Sequence, residues 1–276
     1  MKEFTRARPG AAAADREAPT LNALVSRLDR LYVMAALFGV GLTAFLAIEP
    51  TQNWLLLLLS GLAALGTDGI VRTHPRARFT RLDDTALFLF VPALFTLSSG
   101  LFLEEVASGY WTLGAGLLSA VPFWAIVHAE YTSVDRRSRS YHGARLVLNV
   151  ATYVIAFLFF ATIYDFDLGL LTGSFAAGTV SLLLAIEVLR EEAMDTTRTL
   201  LYALAIGVLL AEAAWAVYFL PLEGGMAALF LLLAFYLMTG LMHNYLADRL
   251  NLKTAGEFSA VAVAGLLIVS LSHVTI

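Results

Sequence analysis

Long apolar runs separated by short polar turns make up most of this chain. After a polar, non-periodic stretch at 1–19, the runs fall at about 31–48, 53–72, 86–103, 110–130, 145–163, 168–188, 199–219, 226–246 and 257–275. Each is close to the ~20 residues that carry a helix across a ~30 Å hydrocarbon core. Their length and the lack of two-residue alternation exclude a β-barrel, leaving helices as the spanning elements. Helix-ending signals stand between them at Pro50, Pro75, Gly109, the Asp165 to Asp167 turn, Pro221 with Gly224 and Gly225, and Asn251. The pattern predicts an all-α polytopic bundle of about nine spans, forming one transmembrane domain over 31–276.

Residues 1–19, with Lys2, Arg6, Arg8, Pro9, Asp15, Arg16, Glu17 and Pro19, cannot bury a core and read as a disordered cytoplasmic tail. Thr20 is placed to cap a helix over 20–30 in which Leu21, Leu24, Leu28 and Leu31 share a face. Two arrangements fit it: an interfacial helix lying on the membrane surface before it turns into the first span, or a plain extension of that span. The Ala44-Phe45-Leu46-Ala47 stretch has the small residues of a signal-peptide cleavage site, but the long polar segment ahead of the run favours an uncleaved anchor.

Charge placement orients these spans. All 18 basic residues fall in the tail and in alternate connections: Arg72, Arg76, Arg78 and Arg81, then Arg136, Arg137, Arg139 and Arg145, then Arg190 and Arg198, then Arg249 and Lys253. The opposite connections hold only the acids Glu49, Glu104, Glu105, Asp165, Asp167 and Glu223, with Trp54, Tyr110 and Trp111 beside them as an aromatic belt. Basic flanks stay in the cytoplasm, so the N-terminus is expected inside and Ile276 outside, in the cell membrane. The composition agrees: 59% of residues are hydrophobic, 14% are charged against roughly 25% in soluble proteins, and mean hydropathy is +0.76. The excess of Arg over Lys and the wealth of Ala, Gly and Leu suggest a bacterial or archaeal source. With no cysteine, disulfides and thiolate chemistry are excluded.

Glu212 is the most pointed residue for chemistry. It falls near the middle of the seventh run, where an ionised acid costs ~2.5 to 3.5 kcal/mol and is expected to face the bundle interior. It reads as a proton or ion relay or, equally well, as a protonated acid bonded to a neighbouring helix. A second group, Asp68, His128, Glu130, Glu187 and His243, lies at the inward ends of the four inward-running spans. These are metal-ligand and acid–base residue types at a common depth. Against a metal or catalytic site, His128 and Glu130 point about 200° apart on a helix, and Asp68 with Arg72 is an ordinary i,i+4 pair. Solvated helix ends explain the same residues. Asn149, Tyr153, Ser174, Thr179 and Tyr218 suit either a polar path or interhelical hydrogen bonds, and Gly169, Gly173 and Gly178 suit close helix packing.

Other chemistries fit poorly. Glu191-Glu192 and Arg198 lack the spacing of CAAX-type intramembrane proteases. Lys2 and Lys253, the only lysines, lie outside the spans, so no retinal Schiff base can form, and no phosphate-binding glycine loop with Lys is present. His273 finds no partner for a haem pair. No cofactor is indicated, and nucleic acid is not an expected partner.

The stretch Glu212, Trp215, Phe219, Pro221, Phe235-Tyr236, Gly240, His243, Arg249-Leu250 and Glu257 resembles a bacterial multi-spanning membrane family defined only as a domain of unknown function. This resemblance covers about the last third of the chain and implies that Glu212 and Trp215 belong to the family pattern, with no activity attached. Three functions remain. The first is a subunit or assembly factor of a membrane complex, with lipids and other subunits, or a second copy, as partners. The second is a small-solute or proton-linked transporter using Glu212, with Pro92 and Pro122 freeing backbone groups in spans three and four. The third is an inner-leaflet enzyme for lipid or polyprenyl substrates, built on Asp68, His128, Glu130, Glu187 and His243.

Overall fold

The computed structural model describes residues 21–77, 85–166, 168–190, 196–220, 222, 224–246 and, beyond these, 251, 253, 256–261 and 263–265. Among them the chain is helical, in the order α1 Leu21–Ala47, α2 Asn53–Arg72, α3 Ala86–Val106, α4 Tyr110–Leu118, α5 Ala120–Ser133, α6 Tyr141–Asp165, α7 Leu170–Leu189, α8 Thr196–Val217 and α9 Gly224–Leu246. Among the described residues eight stretches are long and apolar enough to cross a membrane, with α4 and α5 together forming one of them, so the protein is a multi-pass helical membrane protein. The tail at 1–19, Thr20, Glu191, Glu192, Pro221, Arg249 and His273 lie outside the described residues, as does most of the ninth expected span at 257–275.

One element takes the second of its two expected arrangements and another differs from the pattern. First, α1 is one helix from Leu21 to Ala47, ~40 Å long at ~1.5 Å per residue, with no turn separating an interfacial segment. Second, the run at 110–130 breaks at Ser119. Pro122 has no N–H and its ring crowds the carbonyl four residues back, at Leu118, so the helix ends there and restarts with Pro122 in the first turn of α5. The Ser119 hydroxyl donates to the Ala115 carbonyl at 2.8 Å across the break. α1 crosses close by: a Cβ on Gly116 would lie 2.9 Å from the Thr43 main-chain nitrogen.

The helices alternate in direction, and bonds between connections confirm which ends meet. At one end the Thr51 hydroxyl donates to Glu104, tying the α1–α2 turn to the end of α3. At the other, Arg76 pairs with Asp135, tying the segment after α2 to the one after α5. The first end carries Glu49, Glu104, Glu105 and Asp165, with Trp54, Tyr110 and Trp111 exposed around it; the second carries the described arginines of the connections. We call them the acidic and basic ends.

α6 is central, packed against α3, α5, α7 and α9. Its buried stripe of Arg145, Leu148, Thr152, Ile155, Ala156 and Phe159 repeats at three and four residues, as one helical face requires. Phe38 of α1, Phe95 of α3 and Phe123 of α5 meet in the core, the first and last stacked with centroids 4.0 Å apart. α7 and α8 touch through glycines: a Cβ on Gly178 would lie 2.8 Å from the Gly207 carbonyl oxygen, and one on Gly207 the same distance from that of Gly178. Small residues at such contacts are what allow two backbones to approach. Gly173 also packs, against Ile163, whereas Gly169 serves a different end, holding φ +75° in open space at the start of α7.

Candidate functional site

At the basic end four ionic side chains converge in the interior. Glu130 closes α5, Arg145 sits in the second turn of α6, Glu187 lies in the last turn of α7 and Arg190 caps that helix. Their side chains are 0%, 4%, 2% and 12% exposed. Arg145 donates from Nη1 to Glu187 Oε1 at 2.7 Å and from Nη2 to the Glu187 carbonyl at 3.0 Å. Arg190 Nη2 lies 3.0 Å from Glu130 Oε2 and 3.1 Å from Glu187 Oε1. The Arg190 guanidinium also rests on the Phe88 ring, 4.6 Å from its centroid, which brings α3 into the cluster.

The local sequence explains the arrangement. The last carbonyls of α7 have no helical partner; Arg145 satisfies that of Glu187, and a cation at Arg190 opposes the negative end of the helix dipole. Two carboxylates and two guanidiniums balance to zero, so the quartet is paired rather than a lone buried charge. Glu130 Oε1, Glu187 Oε2 and Arg190 Nη1 are buried without a hydrogen-bond partner. The ion pairs and the ring contact of Arg190 join α3, α5, α6 and α7.

Of the five residues expected at the inward helix ends, the structure brings together Glu130 and Glu187, linked by Arg190. Asp68 is elsewhere: Arg72 Nε donates to its Oδ2 at 2.7 Å and the Thr85 hydroxyl to its Oδ1 at 2.5 Å, the i,i+4 pair read from the sequence. His128 is exposed on α5, stacked on Trp124, which in turn stacks on Tyr32. His243 stands in the last turn of α9. Among the described residues no group of three His, Asp or Glu is set to hold a metal ion. Arg145 and Arg190, half of the quartet, enter the sequence reading only as flanking charges. The available signal was that Arg145 falls on the same face of its run as Leu148, Thr152 and Ile155.

Glu212 lies on the outward face of α8, exposed. The membrane-crossing stretch of α8 runs Thr197–Val217, so Glu212 is five residues past its midpoint at Gly207, ~7.5 Å toward the acidic end, rather than central. It does not face the bundle interior: its neighbour Ala211 does, against Gly178. Leu201, Ala205, Val208, Glu212, Trp215 and Phe219 are all exposed and follow one another at alternating steps of four and three residues. That spacing is the seam along which one helix packs on another.

The five residues considered for a polar path divide. Tyr153 hydrogen-bonds across to Thr239 on α9 at 3.1 Å, Thr179 bonds back to its own helix at Phe175, and Ser174 and Tyr218 line a small cavity of about 30 Å³. Asn149 Oδ1 is buried without a hydrogen-bond partner.

No curated protein and no solved structure matches the chain. A family match extends from residue 28 to 272, far beyond the last third that carried the resemblance in the sequence. With long apolar helices and residues 28–272 matched, the chain belongs to the family described as a protein of unknown function, DUF5656.

Proposed function

We propose that this protein is an accessory or assembly subunit of a membrane complex, docking a helix of a different protein along the outward face of α8. The observation that carries the reading is Glu212, an acid at hydrocarbon depth, exposed within an apolar seam. An acidic residue facing lipid costs up to ~3 kcal/mol at the bilayer centre, and a neighbouring helix that offers it a hydrogen bond or a cation removes that cost. A second copy of the chain sets Glu212 against Glu212, a contact that bonds only while at least one carboxyl is protonated. A helix with Arg, Lys, His or an amide at that depth fits.

The basic-end quartet supports the same reading, since its charges balance internally and hold the bundle as a rigid platform. The transporter reading loses support because Glu212 faces outward, and the enzyme reading because Asp68 is taken up by Arg72 and Thr85 and His128 is exposed on the outer side of α5. The cytoplasmic membrane, with the basic end inside, is the setting implied by the arginine distribution.

Native mass spectrometry of protein released gently from its own membrane tests this. The expected result is a stoichiometric protein partner with a polar residue in one of its spans, lost on Glu212→Leu and retained on Leu171→Ala, a change on the exposed face of α7. A partner retained in Glu212→Leu overturns the docking face. A bare monomer together with solute-driven proton uptake abolished by Glu212→Gln would instead establish transport.

A further inference from the structure

A groove of about 760 Å³ runs between α1 and α2 on the outside of the bundle, away from both the quartet and Glu212. Its α1 wall is the stripe Arg30, Met34, Leu37, Gly41, Ala44 and Ile48; its α2 wall is Leu55, Leu59, Leu62, Gly66 and Ile70. Both repeat at three and four residues, so each wall is one continuous helical face. Leu59 lies across Gly41 and Met34 across Gly66, in space that a Cβ at either glycine would invade at 2.8 Å. Every lining side chain is apolar except Arg30.

Charge and length define the occupant. Arg30 stands at the basic end with no acidic partner among the described residues, while the other end of the groove opens near Glu49 and Glu104. An anionic head is attracted at one end and repelled at the other. From Arg30 to Ile48 the groove extends ~27 Å at ~1.5 Å per residue, nearly the whole ~30 Å hydrocarbon core. An ordinary acyl chain anchored beside Arg30 reaches only to the middle of the bilayer, about half that length. We infer that the α1–α2 groove binds a polyprenyl phosphate, its phosphate on Arg30 and its isoprenoid chain laid along the groove through both leaflets.

The test is native mass spectrometry with delipidated full-length protein, titrated in parallel with a long-chain polyprenyl phosphate, farnesyl phosphate and phosphatidylglycerol. The expected result is a one-to-one adduct with the long-chain lipid and weaker binding of the other two, because farnesyl phosphate has the head without the length and phosphatidylglycerol has neither the length nor a single chain. Arg30→Gln should weaken the long-chain adduct about tenfold, as loss of a charged hydrogen bond does. Ala44→Trp, which fills the groove ~21 Å from Arg30 and beyond the reach of a farnesyl chain, should remove the preference for the long chain over farnesyl phosphate. Equal or tighter binding of phosphatidylglycerol overturns the proposal, as does an Arg30→Gln protein with unchanged long-chain affinity. Arg30 is exposed, so that variant folds whether or not Ala44→Trp does, and its result stands alone.

Discussion

Arg145 grips Glu187 twice, through the carboxylate at 2.7 Å and through the main-chain carbonyl at 3.0 Å, so a single side chain of α6 both neutralises an acid of α7 and caps that helix. With 4% and 2% of the two side chains exposed, neither can turn to water if the other is lost. Arg145→Leu should therefore destabilise the bundle by about 3 to 5 kcal/mol, the cost of an uncompensated buried charge. The double variant Arg145→Leu/Glu187→Leu leaves Arg190 with Glu130 and should regain most of that loss. Unfolding in detergent by heat, compared across the double-mutant cycle, measures both; equal loss in single and double variants would show that packing, not charge, holds this corner.

Gly178 and Gly207 set the distance between α7 and α8. A methyl group on either would come within 2.8 Å of the other's main-chain oxygen, so a rigid backbone must move. Gly207→Val should cost about 1 to 3 kcal/mol or more from overpacking. By contrast Gly114→Ala, in open space on α4, should not lower the melting temperature and should raise it slightly through the better helix propensity of Ala. Similar effects at both glycines would mean that the contact adapts.

The contrast between these sites shows what the sequence exposes and what it conceals. Runs of apolar residues record span length directly, so α2 matches its expected bounds of 53–72 and α9 begins two residues early. The Ser119 break was latent in Pro122, visible as an interruption but not as a division into two helices, because a proline in a first turn and one in a helix interior look alike until the register is known. Arg145 and Arg190 satisfied the orientation rule so well as flanking cations that the rule hid their burial. Glu212 failed for the opposite reason: cost arguments say that an acid should be covered, but which face of α8 is covered depends on where Gly178 of another helix lies.

The Arg76–Asp135 pair predicts an acid-sensitive contact between two connections at the basic end. Its hydrogen bond from Arg76 holds the Asp135 carboxyl below the usual carboxylate value. A depressed folded-state pKa contributes stability above the unfolded value, ~3.9, which is lost as pH falls through the lower folded value. Hydrogen-exchange protection of residues 73–77 and 135–140, taken relative to the intrinsic amide rate at each pH, should thus be unchanged from neutral pH down to about 4 and fall only below it. Asp135→Asn should show the reduced protection at every pH, and salt should weaken protection because the pair is at the surface. Protection that survives acid in the wild-type protein would mean that the His74–Tyr131 ring contact, with centroids 4.8 Å apart, holds the segments instead.

The chain has no cysteine, so single introduced cysteines report sidedness without background. Arg137 lies in the connection after α5 at the basic end, and Tyr110, 94% exposed, starts α4 at the acidic end. Positive flanks are retained in the cytoplasm because moving them across the membrane is unfavourable, a rule that predicts Arg137 inside and Tyr110 outside. In intact cells an impermeant maleimide should label Tyr110→Cys and leave Arg137→Cys untouched until the membrane is opened. The reverse pattern would invert the bundle, move the quartet to the outer leaflet, and turn the Arg30 end of the α1–α2 groove toward lipids of that leaflet. Since Arg30 and the quartet share the basic end, this one assignment decides from which side of the membrane both would be reached.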